Sequence, residues 1–316
     1  MSELDNDTAA LLAAMQDSGA PPLHALSVTD ARFALEGLTE PSNGQDDGVV
    51  TEDAEVSGQG GAIPVRIYRP SVEGADSKPV VLLFHGGGWA LGSIETHEPM
   101  ARSIASLAGV CVVSVDYRLA PEHPFPAGFD DCYTVLLWAA SNRDKLGGPG
   151  APILVAGDSA GGNLAAAVAL AARDRGGPAI ACQILFYPSV DAAGEGERFP
   201  SRELFGGGEY FLGAQDIIWL KDMYLTNVSD QENILVSPLR APDLTNLPPA
   251  LILTAGFDPL RDEGLAYHEK LCAAGVQSSH HCFEGTIHGF ISFASQIAAG
   301  REGLDMAAAK IREFAE

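Results

Sequence analysis

Ser159 stands in the pentapeptide GDSAG, directly after the apolar run ILVA and directly before the alanine-rich stretch GNLAAAVALAA. A hydroxyl raised at such a strand-to-helix turn is placed to attack a carbonyl carbon, and the free amides that open the helix favour negative charge at the same point. A serine nucleophile needs a base, and the base needs an acid to orient it. Four histidines follow Ser159 in the chain. His280 and His281 fall inside a strand pattern and His268 inside a helical one. That leaves His288, in EGTIHGF beyond the last strand, as the base. Asp258, at the end of the run ALILTAGF, is the expected acid; Asp262 is its rival, and Asp258 could instead cap the helix that Pro259 opens. The segment LLFHGGGWALG places Gly86, Gly87 and Gly88 after another buried strand. Their backbone, with the amide of Ala160, offers an oxyanion donors worth about 3 kcal/mol each. His85 then reads as a residue that fixes this loop. GDSAGGN lacks the lysine that a phosphate-binding loop of the Walker type requires.

These residues need a scaffold that brings distant segments to one edge. From residue 79 the chain alternates short apolar runs (PVVLLF, VCVVSV, PILVAG, AIACQILFY, PALILTAG, VQSSHHCF) with helical patterns near 98–107, 127–141, 160–174, 261–274 and 303–314. Strand and helix repeated in this way predict a mostly parallel sheet with helices on both faces. Two further strands are expected at 51–57 and 62–69, the second alternating as though it lay at a sheet edge. Ahead of them, two short helices over 4–16 and 27–38 form an arm, followed by the polar linker EPSNGQDDG. Residues 191–235 carry no strand pattern, only the loop FGGGEY and the amphipathic stretch AQDIIWLKDMYL. An insertion after a strand's C-terminal end lies on the ligand side of such a sheet. The division expected is an arm over 1–48, a catalytic domain over 49–190 and 236–316, and a cap insertion over 191–235. The chain order serine, aspartate, histidine is that of α/β-hydrolases.

Composition narrows the partners. With 42 acidic against 19 basic side chains the formal charge is −23, which repels phosphate backbones and anionic lipid surfaces and argues against nucleic acid as a partner. No apolar run is long enough for stable membrane insertion, and the N-terminus lacks the basic start and apolar core of a secretory signal, so a cytoplasmic protein is expected. The five cysteines are widely spaced without a CxxC pair, so neither disulfides nor a zinc site is indicated, and they are expected as thiols in or near the core. The chemistry calls for no metal and no cofactor.

The segments HGGGW, YRLAPEHPFPA, GDSAGG, DPLRDEG and IHGF, in this order and with the N-terminal helices, resemble the hormone-sensitive-lipase-like esterases, also called bacterial family IV. The resemblance covers nearly the whole chain. It implies an α/β-hydrolase fold with an eight-stranded, mostly parallel sheet and a helical cap built from the arm and the insertion. It also implies Ser159 as nucleophile, His288 as base, Asp258 as third member, and Gly87, Gly88 and Ala160 as oxyanion donors, with Gly86 shaping the loop. The substrates implied are small-molecule esters of short to medium acyl chains, hydrolysed by water. Trp89, Asp158, Phe205, Tyr210, Phe211 and Trp219 are the expected pocket residues. Arg118 and Glu122 are expected to pair in a proline-stiffened turn, and Thr286, where a bulkier apolar residue is commoner, to alter pocket shape. A late edge strand offers a homodimer contact. The same triad would serve amides, lactones or thioesters, and a non-catalytic receptor on this scaffold is the reading from another class; the presence of His288 argues against it.

Overall fold

A computed structural model describes residues 3–38, 48–71, 78–194 and 196–315 of the chain, so the linker expected over 40–48, apart from Gly48, lies outside the described residues. Eight strands form one sheet: β1 (Val49–Gly58), β2 (Gly61–Pro70), β3 (Val80–Phe84), β4 (Cys111–Val115), β5 (Ile153–Asp158), β6 (Cys182–Phe186), β7 (Ala250–Phe257) and β8 (Ser278–Ile287). Their spatial order is β1-β2-β4-β3-β5-β6-β7-β8. β1, β2 and β4 pair antiparallel, and every pair from β4 through β3 to β8 is parallel.

The central strands β3, β4, β5 and β6 are buried along their whole length, which is why they read as predominantly apolar runs, with Ser114, Asp158 and Gln183 as buried polar exceptions. Period-two geometry divides them between two cores: Val80, Leu82 and Phe84 face one side of the sheet, Val81 and Leu83 the other. β2 is not the edge strand expected of it. It pairs on both sides, and β1 takes the edge. Alternation reports which face of a strand is solvated and carries no information about its hydrogen-bonding neighbours.

The longer helices are α1 (Asn6–Asp17), α2 (Val28–Leu38), α3 (Glu98–Ala108), α4 (Ala127–Ser141), α5 (Ala160–Asp174), α6 (Ala214–Tyr224), α7 (Arg261–Ala273) and α8 (Ala298–Arg312). α5 is buried from Ala160 to Ala172, and its small side chains let it lie close against the sheet. α8 starts five residues before its expected position, since burial of Ala299, Gly300 and Gly303 offsets their weak periodicity.

The arm is stitched to the C-terminal ends of the strands. The Asp5 amide donates to Gly285 O at 2.9 Å, Thr8 Oγ1 lies 3.2 Å from Thr286 Oγ1, and Asp7 Oδ2 accepts the Ala298 amide at 2.7 Å. Thr286 therefore anchors α1 and does not shape a pocket. Arg32 on α2 donates to Ala90 O and Ala120 O, both at 2.9 Å, and pairs with Glu122. Arg118, expected on Glu122, instead pairs with buried Asp131 at 2.8 Å, because the turn carries the two side chains apart. The insertion is tied down by Arg202, which reaches Glu263 and the carbonyls of Asp191 and Gly194. Cys111, Cys132 and Cys182 are buried free thiols and Cys282 is half-buried, whereas Cys272 is exposed, contrary to expectation. Among the described residues no helix is long and apolar enough to cross a membrane.

Candidate active site

The segments singled out by their chemistry meet at the C-terminal ends of β3, β5, β7 and β8. Ser159 follows β5 at once, with φ +53° and ψ −116°, a sharp conformation that lifts its hydroxyl off the sheet end. The turn depends on the glycine two residues on: a Cβ on Gly161 would stand 1.9 Å from Phe84 O. Ser159 anchors the turn through its own backbone, its amide donating to Phe186 O and its carbonyl accepting the Asn163 amide.

His288 follows β8 and is 5% exposed. Its Nε2 lies 2.9 Å from Ser159 Oγ and its Nδ1 lies 2.8 Å from Asp258 Oδ2. Asp258 is fully buried, and its second oxygen, Oδ1, accepts the Leu260 amide at 2.7 Å. One carboxylate oxygen thus caps the helix while the other faces the imidazole. Asp262 points elsewhere: its Oδ2 accepts the Ser201 amide at 2.8 Å and its Oδ1 the Arg261 Nε–H at 2.9 Å, holding the insertion to α7. His268 lies in α7, and His280 and His281 lie in β8 as expected.

The loop after β3 wraps the same spot. Gly87 has φ +108°, and a Cβ there would come within 2.3 Å of Leu91 O. Among the described residues nothing accepts a hydrogen bond from the amides of Gly87, Gly88 or Ala160. The Gly86 amide, by contrast, is spent on Asp158 Oδ1 at 2.8 Å, so Gly86 shapes the loop and has no donor to offer. Asp158, expected to touch substrate, is 4% exposed and turned inward to Gly86 and His97. Burial drives its carboxyl up, but the charge and hydrogen bond of His97, with His85 and the Gly86 amide, outweigh this and hold it below the usual carboxylate range. His85 is fully buried, with Nδ1 2.8 Å from Gly86 O and its ring stacked at 4.2 Å on Tyr117. Burial, reinforced by His97, pushes its pKa down to about 3, so it is neutral and serves to fix the loop.

The aromatic residues expected as pocket walls divide. Trp89 is buried and stacked at 4.5 Å on Tyr224, Trp219 packs against the core, and Phe205 and Tyr210 pack on one another and on Phe257. Only Phe211 among these five lines the cavity of about 620 Å³ between the arm and residues 206–216, bounded also by Leu12, Met15, Leu23 and Leu26. The Phe211 ring also stands against Gly289, next to His288. His24 Nδ1, at 2.7 Å from Asp216 Oδ1, joins arm to insertion across this cavity.

Two residues near the site carried no motif. A Cβ on Gly88 would come within 2.5 Å of Leu220 Cδ1, so Leu220 of α6, and not its neighbour Trp219, covers the glycine loop. The Tyr187 ring packs 4.7 Å from the imidazole of His288. The helical period around Leu220 could have flagged it as inward-facing; nothing in the sequence marks Tyr187. Among the described residues no group of three or more His, Cys, Asp or Glu side chains is close enough to hold a metal ion.

A family model described as alpha/beta hydrolase fold matches residues 81–292. The chain is 44% identical over 253 residues to "Carboxylesterase NlhH" of Mycobacterium tuberculosis, covering 78% of each protein, and 35% identical over 291 residues to "Ethyl acetate hydrolase" of Pseudomonas putida, covering 90% of each. Among solved structures it superposes on a hyperthermophilic esterase from the archaeon Pyrobaculum calidifontis with a TM-score of 0.88 at 39% identity, covering 99% of each chain.

Proposed function

Because this chain belongs to the hormone-sensitive-lipase-like esterases of the α/β-hydrolase fold and is a carboxylic ester hydrolase, we propose that it works through an acyl-enzyme formed on Ser159. His288 takes the Ser159 proton as Oγ bonds to the ester carbonyl carbon, and Asp258 holds the imidazole and stabilises its charged form. The carbonyl oxygen, now an oxyanion, is held by the amides of Gly87, Gly88 and Ala160, each worth about 3 kcal/mol in the transition state. The C–O bond to the alcohol breaks as His288 returns the proton to the leaving oxygen. Water, deprotonated by His288, then attacks the acyl carbon, and the carboxylic acid leaves as Ser159 regains its proton.

The single observation that carries this reading is the continuous hydrogen-bonded chain Ser159, His288 and Asp258, at 2.9 and 2.8 Å, beside three amides without an acceptor among the described residues. We further assign the arm and residues 191–235 to a cap, and short to medium acyl chains to the substrate. Leu220 over the glycine loop and Phe211 beside Gly289 support this, since both crowd the space a chain would enter. The test is hydrolysis of p-nitrophenyl esters from acetate to palmitate by the parent protein and Ser159→Ala. Turnover should peak between acetate and octanoate, and S159A should lose at least about a thousandfold with an unchanged melting temperature. Retained S159A activity would refute the nucleophile, and a rise toward palmitate the chain-length assignment.

A further inference from the structure

We propose that His97 is a positioning residue for this reaction: together with Asp158, it pins the Gly86 amide and thereby aims the donors of Gly87 and Gly88. The inference rests on the reading of that loop as the oxyanion site.

His97 caps the start of α3 and its side chain is 6% exposed. The Nδ1 atom lies 2.8 Å from Thr96 Oγ1. That hydroxyl already donates its one proton to Ser93 O at 2.9 Å and accepts the Ser93 amide at 2.9 Å, so Nδ1 must be the donor. On the other side, Nε2 lies 3.1 Å from Asp158 Oδ1 and 3.2 Å from the Gly86 nitrogen. Gly86 has one N–H, and its nearer acceptor is Asp158 Oδ1 at 2.8 Å. The same N–H is also directed at Nε2, so Asp158 Oδ1 and His97 Nε2 share it. The carboxylate of Asp158 and the ring of His97 thus converge on one backbone amide, with the His85 ring 5.4 Å from that of His97.

The consequence reaches the reacting atoms through one rigid unit. The Gly86 carbonyl and the Gly87 N–H belong to a single trans peptide plane and point in opposite directions. His85 holds the carbonyl at 2.8 Å, while Asp158 and His97 hold the preceding amide of Gly86. With both sides of Gly86 fixed, the Gly87 N–H has one direction available. If the ring at 97 is lost, the Gly86 amide keeps only Asp158, and the segment can rotate.

Two variants separate this from simple space-filling. In His97→Gln the side-chain amide reaches the place of Nε2 and can set its oxygen against the Gly86 N–H; in His97→Asn it reaches only the place of Nδ1. Turnover per active site, counted with a p-nitrophenyl phosphonate, should fall about tenfold or more in H97N with KM nearly unchanged, and stay within about threefold of the parent in H97Q. Hydrogen exchange at the Gly86 amide should be slow in the parent and H97Q and faster in H97N. Equal turnover and equal exchange in the two variants overturn the proposal. Should H97N not fold, Thr96→Val removes the Nδ1 partner alone; unchanged exchange and turnover there overturn it equally. A parent protein without esterase turnover counts against the proposed function, and the exchange measurement still decides the role of His97.

Discussion

Replacing Asp258 with asparagine tests the site with the least change of shape. The carboxylate divides its work: Oδ1 accepts the Leu260 amide at 2.7 Å and Oδ2 faces His288 Nδ1 at 2.8 Å, in a place with no solvent exposure. Asparagine brings one acceptor and one donor to two neighbours that both donate. Leaving the buried Leu260 amide unpaired would cost about 1–3 kcal/mol, so the carboxamide oxygen stays with Leu260 and its NH2 turns to His288. Nδ1 must then accept, the ring proton moves to Nε2, and the nitrogen facing Ser159 can no longer take the hydroxyl proton. A wrong tautomer of this kind lowers turnover by about 10⁴, equivalent to about 5.5 kcal/mol. The control is Asp262→Asn, whose oxygens serve Ser201 and Arg261 and not the imidazole. Its loss should stay under about tenfold. The assay is p-nitrophenyl butyrate hydrolysis beside a thermal melt for each variant. D258N keeping more than about a tenth of parental kcat/KM, or D262N falling below it, would refute the assignment of the acid.

His85 sets a pH dependence of stability. Its folded pKa of about 3 lies below the ordinary imidazole value of 6.5, so under acid the unfolded chain binds a proton that the native state excludes. Stability is fully present above about pH 6.5 and falls toward pH 3, by up to about 1.4 kcal/mol per pH unit from this group. Denaturant midpoints at about pH 7 and about pH 5 should differ less in His85→Gln than in the parent; equal differences would mean His85 is not held neutral. Gly161→Ala should destabilise by at least about 3 kcal/mol, given the 1.9 Å approach to Phe84 O, and a melting temperature matching the parent's would contradict the turn geometry.

What the sequence made legible follows the range of the forces involved. The apolar runs of β3, β5 and β7 are legible because burial on both faces favours apolar side chains at nearly every position, and the Ser159, His288 and Asp258 cluster because the chemistry proposed for it admits few residue types. The neighbour of β2 was not, since hydrogen-bond partners leave no mark on side-chain alternation. Arg118 and Glu122 are close in sequence, yet Asp131 and Arg32 claim them through tertiary packing. The pocket walls were the least legible part. Aromatic side chains suit core and cleft alike, so Trp89 and Phe205 read the same as Phe211. Asp158 misled for a related reason: a carboxylate beside a nucleophile suggests contact with substrate, while its burial and its bond to Gly86 belong to the loop.

The seam between α1 and residues 285–286 has a bearing on engineering. Asp5 and Thr8 grip Gly285 and Thr286, which immediately precede the segment bearing the imidazole. A chimera that borrows another enzyme's first forty residues would therefore also disturb the placement of His288. On the proposed mechanism that would couple selectivity to rate, so a graft should carry its own partners for residues 285 and 286.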